Sequence, residues 1–191
     1  MKKVILIASV LCVAVISTAC INNLAVQDLN NKAKVYADKG DYTQAIERLK
    51  SSIDLDPSVF ETHYNLAIVY TQAEDYINAV EEYKKVIEMK PNNADSYYSL
   101  ATAENNLAVD MEQGRVRMNK IDDSLYTPKE DENNKTEELS EKEKAYISEL
   151  YDYAVQNYQK YLELNPNASD KSEVEAQINK ITDAQNHSIE E

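Results

Sequence analysis

Side chains able to do covalent chemistry are few in this chain, and their spacing suits no common catalytic arrangement. The chain has two histidines, His63 and His187, and two cysteines, Cys12 and Cys20. A catalytic nucleophile needs a base beside it and a third group to orient the base. No cysteine follows Cys20, so the body of the chain has no thiol and no Cys metal site. His63 falls at an apolar position of a helical pattern and reads as a packed core histidine. His187 has no His or Cys partner at helical spacing. The sole glycines after the first 20 residues are Gly40 and Gly114, too few for a loop that cradles phosphates. Paired Asp and Glu residues read as solvated helix faces. The Asn-X-Ser/Thr triplets at Asn134, Asn167 and Asn186 read as chance matches in an Asn-rich chain. No catalytic residue, cofactor, metal ion or small-molecule substrate is therefore expected, and covalent chemistry is left to Cys20 alone.

Cys20 has a setting that gives it a role. Lys2 and Lys3 precede an apolar run from Val4 to Ile16, and Ser17, Thr18 and Ala19 lead into Cys20. Positive charge, apolar core and small residues in that order are the layout of a secretory signal. With Cys directly after Ala19, the segment resembles a bacterial lipoprotein signal, which implies that Cys20 receives lipid and becomes the mature amino terminus. The residues by themselves leave two other outcomes open, simple secretion and an uncleaved anchor. The run from Val4 to Ile21 is 18 residues without a charge, at the short end of what spans a bilayer as a helix. Lipid or anchor would hold the rest of the chain at the extracytoplasmic side of a membrane in a bacterial cell envelope.

The elements that follow are helical. Apolar residues recur three or four apart, as in Leu66, Ala67 and Tyr70 and then Ala79, Val80, Tyr83, Val86 and Ile87, with no strand-like alternation. Pro57 and Pro91 stand 34 residues apart, and the residues before each repeat one order. Leu29, Lys32, Ala33, Tyr36, Ala45 and Leu49 precede Pro57; His63, Leu66, Ala67, Tyr70, Ala79 and Tyr83 precede Pro91. A third copy is split, with Tyr97, Leu100 and Ala101 at one end, Ala154, Tyr158 and Pro166 at the other, and Glu104 in the place of Tyr36 and Tyr70. This order resembles the tetratricopeptide repeat. The resemblance implies an all-α fold, a right-handed α-solenoid of three TPR-like helix pairs closed by a C-terminal capping helix.

Pro91 to Pro166 is 75 residues, so removing one repeat of 34 leaves an insertion of 41 in the third pair. Leu107, Met111, Met118, Ile121 and Leu125 continue a helical series, with Gly114 filling one step. Ser140 with Glu143 is a capping box, and Leu139, Tyr146, Leu150 and Tyr153 run on from it. The expectation is an arm of two overlong helices with a mobile tip at 127–138. The resulting division is a signal peptide at 1–19, a tether at 20–25, repeats at 26–57 and 58–91, and a third repeat at 92–166 whose arm occupies about 108–149. A closing helix and tail, with Val174, Ile178 and Ile181 on its apolar face, fill 167–191.

In repeats of this kind the first helix of each pair lines a groove that takes a peptide or a partner helix. Carried onto this chain, the resemblance implies peptide-binding roles for Asn30 and Lys34 in the first copy, Tyr64, Asn65 and Ile68 in the second, and Tyr98 and Thr102 in the third. Asn30, Lys34 and Asn65 match positions of a clamp that holds a partner's terminal carboxylate in some members. The third copy, however, presents Asp95 and Ser99 where that clamp needs basic residues, so a neutral or basic peptide is expected. The formal net charge is −14, and loss of Lys2 and Lys3 with the signal takes it to −16. Such a surface repels nucleic acid and anionic lipid headgroups. The function expected is a membrane-tethered adaptor or scaffold that binds protein; a structural subunit of a larger envelope assembly is the alternative.

Overall fold

The computed structural model describes residues 23–128 and 138–189. The segment read as a signal peptide, Cys20 and most of the 127–138 segment read as a tip lie outside them. The described residues are all-α apart from one short strand pair, and they divide into two compact units, one ending at Ala73 and one beginning at Glu74.

The first unit holds α1 (23–37), α2 (Tyr42–Leu55) and α3 (Phe60–Gln72). Helix α1 ends at Gly40, whose φ of 76° is the left-handed conformation that a Cβ would crowd. The Gly40 amide donates to Ala37 O at 2.9 Å and that of Asp41 to Tyr36 O at 3.0 Å, which satisfies carbonyls left over at the helix end. Asp41 then caps α2, accepting from the Gln44 amide at 3.1 Å. Ala33, Ala45, Leu49, Leu66 and Ala67 are buried, as their spacing requires. His63 is buried as a core residue, with Nε2 donating to Pro57 O at 3.1 Å.

The second unit holds α4 (Tyr76–Met89), α5 (Ala94–Glu112), β1 (Arg117–Met118), β2 (Leu125–Tyr126), α6 (Glu141–Leu164) and α7 (Lys171–Ile189). Helix α5 packs on α4 and α6, and α6 packs on α7. The period of 34 persists in fine detail: Tyr97 donates to Pro91 O at 3.1 Å, where His63 donates to Pro57 O. Asp75 caps α4 through the Asn78 amide at 3.3 Å, as Asp41 caps α2. Glu74 takes the place of Gly40 and is held at φ 58°. An L-residue there is crowded by its own Cβ, whereas the greater freedom of unfolded glycine offsets part of that strain. Replacing Glu74 with Gly should therefore raise stability by about 0.5–1 kcal/mol, read as a higher urea midpoint. A lower midpoint would contradict this account.

The insertion departs from the expected arm. Helix α5 runs past the usual end of a first helix but stops at Glu112, so Met118, Ile121 and Leu125 do not continue its stripe. Gly114 is the reason: its φ is 72°, its amide donates to Met111 O at 3.0 Å, and the Arg115 amide donates to Asp110 O at 2.8 Å. The glycine that fitted a heptad step is a helix stop. Beyond it the chain pairs antiparallel with itself, Arg117 opposite Tyr126 and Met118 opposite Leu125, and leaves Ile121 94 % exposed in the turn. The return is helical as expected. Ser140 Oγ accepts from the Glu143 amide at 3.3 Å and Glu143 Oε2 accepts from the Ser140 amide at 2.8 Å, a complete capping box. The face α6 buries is Ile147, Leu150, Tyr151 and Ala154, whereas Tyr153 is largely exposed. Val174 and Ile181 of α7 are buried and Ile178 half-buried.

Candidate functional site

In the first unit α1 and α3 flank a cavity of about 350 Å³. Ala33, Leu49 and Val69, all buried, form its apolar floor. Asn30, Lys34, Asn65 and Ile68 line it together, four of the residues implicated from sequence. They converge because Asn30 and Lys34 are four apart, and Asn65 and Ile68 three apart, each pair on one helix face. Ala33 has no side chain beyond Cβ to fill the space between them.

Asn30 has its hydrogen bonds taken already. Its Nδ2 donates to Val26 O (2.9 Å), Ser52 Oγ (2.9 Å) and Thr62 Oγ1 (3.0 Å), and its Oδ1 accepts from Asn65 Nδ2 (3.1 Å). Ser52 and Thr62 are fully buried, so Asn30 ties the three helices together beneath the groove. The available donors and acceptors belong to Asn65, which is exposed, and to Lys34, whose ammonium makes no ion pair among the described residues. The sequence signal for this network was two small hydroxyl residues at core positions. Tyr64 is half-buried and does not line the cavity, because one step along a helix turns a side chain by about 100°.

The remaining two implicated residues, Tyr98 and Thr102, lie on α5 in the second unit. Thr102 Oγ1 donates to Tyr98 O at 3.0 Å and lies 3.0 Å from the Tyr158 hydroxyl. Tyr158 is buried, and burial pushes its phenol pKa up. The half-buried Thr102 hydroxyl is thus occupied by neighbours within the chain, whereas Tyr98 stays 39 % exposed. Its ring meets Tyr158 and Tyr161 edge to face, at centroid distances of 5.6 and 5.3 Å. Among the described residues no His, Cys, Asp and Glu side chains gather as metal ligands.

The arrangement is a groove with an apolar floor, a cation that makes no ion pair among the described residues, and a carboxamide held by Asn30. A family profile described as TPR repeat matches residues 33–73 and 69–103. No curated protein sequence matches. Among solved structures, the first TPR of Spaghetti (RPAP3) bound to the HSP90 peptide SRMEEVD superposes with a TM-score of 0.57 at 18 % identity, over 85 % of this chain and 94 % of that one. The TPR domain of Arabidopsis OM64 gives 0.57 at 14 % identity, over 83 % and 98 %. The second TPR domain of human RPAP3 in complex with the HSP70 peptide SGPTIEEVD gives 0.57 at 14 %, over 84 % and 98 %. At these identities the likeness is one of fold.

Proposed function

We propose, from the premise that this chain is a tetratricopeptide-repeat protein with repeats matched over residues 33–103, that it works as a protein-binding adaptor or scaffold, not an enzyme. The observation that carries the reading is the groove between α1 and α3, where Lys34, Asn65 and Ile68 surround an apolar floor. An extended peptide laid there would place main-chain groups against the Asn65 carboxamide, which both donates and accepts, and an apolar side chain against Ile68. Asn30 serves as the support that holds Asn65 in place. Two similar folds, the first Spaghetti repeat domain and the second of human RPAP3, are recorded with bound chaperone peptides, which supports a groove of this kind as a peptide seat. The net charge of −14 supports a neutral or basic partner.

Cys20 is the proposed attachment point, lipidated at the extracytoplasmic face of a membrane of a bacterial cell envelope. No helix of the described residues is long and apolar enough to cross a membrane, and the support for tethering is the order of residues from Lys2 to Cys20.

A photo-crosslinking amino acid at Ile68 tests the groove against an equivalent probe at Glu47, exposed on α2. Capture of a partner from Ile68 and not from Glu47 is expected, and Lys34→Ala with Asn65→Ala should lower that capture about tenfold, the loss of one good anchor. Equal capture from both probes would end the proposal.

A further inference from the structure

The second unit carries a surface that no part of the groove reading uses. Tyr98 shows more than a third of its area to solvent, and the edge-to-face rings of Tyr158 and Tyr161, themselves buried, hold its ring in one orientation. One turn earlier on the same face of α5 is Asp95, exposed and without an ion pair among the described residues. Asp170 accepts a hydrogen bond from the hydroxyl of Tyr161, on which the Tyr98 ring packs, at 2.8 Å and is likewise not paired with a described cation. Both carboxylates act on the Tyr161 phenol and push its pKa up, Asp170 through that hydrogen bond first and Asp95 by its charge. The partly exposed Tyr98 ring therefore packs on a tyrosine whose phenol senses two carboxylates, and no basic side chain among the described residues forms an ion pair with either. The face of a tyrosine ring is electron-rich and attracts cations, and a planar guanidinium can stack on it while its edge reaches a carboxylate.

We infer that Tyr98, with Asp95 and Asp170, is a subsite for an arginine side chain of the partner protein. The inference rests on the adaptor reading and deepens it by naming the chemistry of the partner. Helix α5 also gives Asp95 a local reason to exist, since an acid in the first turn suits the helix dipole. That role explains neither the exposed ring beside it nor the second carboxylate.

The test uses the full chain in detergent and a fluorescein-labelled Gly-Ser peptide carrying three arginines. A peptide with citrulline at the same positions is the control, because citrulline keeps the shape and removes the charge. At low salt the arginine peptide should bind at least tenfold more tightly. Tyr98→Leu and Asp95→Asn should each weaken it about three- to tenfold, and Glu149→Gln, on the exposed side of α6, by less than twofold. Binding by Tyr98→Leu as tight as by the parent protein would overturn the subsite. So would a loss at Glu149→Gln equal to that at Asp95→Asn, because attraction would then follow overall charge. If Tyr98→Leu loses its helical circular dichroism, the surface variant Asp95→Asn decides alone. Partner capture from Ile68 that survives a negative result here would remove the subsite and leave the adaptor standing.

Discussion

Replacing Glu143 with Ala should lower the unfolding free energy by about 3–5 kcal/mol, the usual cost of removing one member of a buried ion pair. The Glu143 side chain is 3 % exposed and that of Arg117 14 %. Its two carboxylate oxygens accept from Arg117 Nε (2.7 Å) and Nη2 (3.1 Å), the Met118 amide (3.2 Å), and the Ser140 amide and hydroxyl (both 2.8 Å). One side chain thereby fastens β1 to the first turn of α6, and its removal strands a guanidinium and two backbone donors. Burial pushes this carboxyl up, but the Arg117 and Ser140 hydrogen bonds outweigh it and hold the pKa at about 2. A group depressed on folding stabilises the protein above its unfolded pKa. Its contribution, roughly 3 kcal/mol, is complete above about pH 4.5 and is lost as pH falls toward 2. Urea unfolding at pH 7 gives the first number, and amide exchange at Met118 should quicken in the same variant. An unchanged midpoint would show that the insertion is not fastened by this pair.

Glu104 should show the opposite dependence on pH. It stands where the earlier copies have Tyr36 and Tyr70, and it is 1 % exposed. The Asn157 carboxamide of α6 donates to it at 2.7 Å. Burial pushes its carboxyl up to about 7, partly countered by that hydrogen bond and by the charge of Lys84 from α4. Tyr146 of α6 also senses it, with a phenol raised first by burial and then by the Glu104 charge. A group raised on folding contributes fully below its unfolded pKa and loses that contribution as pH rises through the folded one. The protein should therefore lose roughly 3 kcal/mol from this group between about pH 4.5 and pH 8. Glu104→Gln removes the charge and keeps an acceptor for Asn157, so it should be more stable than the parent by about 2 kcal/mol at pH 8 and nearly equal to it at pH 4. Thermal unfolding at the two pH values checks this. A variant less stable than the parent at pH 8 would mean that the ionised carboxylate is well satisfied in the core. With Glu143 favouring higher pH and Glu104 lower, stability from these two groups should peak near pH 4.5, where the Glu143 contribution is gained and that of Glu104 is not yet lost.

The groove was legible in part, and its residues show why. Asn30, Lys34, Asn65 and Ile68 lie in one cavity because helical spacing and a fixed repeat carry positional information directly. Their division of labour was not legible. Asn30 is engaged by Ser52 and Thr62, 22 and 32 residues away, and nothing local in a chain announces a hydrogen bond of that span. Thr102 is used up in the same way, by Tyr158 at a separation of 56. In the insertion the error ran through Gly114. A seven-residue apolar rhythm and a helix stop both accommodate a glycine, and φ of 72° settles which of them holds.

By itself the amino-acid order determined the helical repeats, their period of 34, the capping box at Ser140, and the absence of any thiol after Cys20. Those features depend on neighbours within about a turn, where backbone geometry and side-chain spacing act without help. Tertiary structure alone decided that Glu104 and Glu143 are buried acids with opposed titration, that the insertion folds back as a strand pair, and that the Tyr98 ring packs edge to face on Tyr158 and Tyr161. Each of these depends on which distant groups replace water around a charge or a ring. That exchange is set by packing, because desolvation and pairing of a charge act through space and not along the chain.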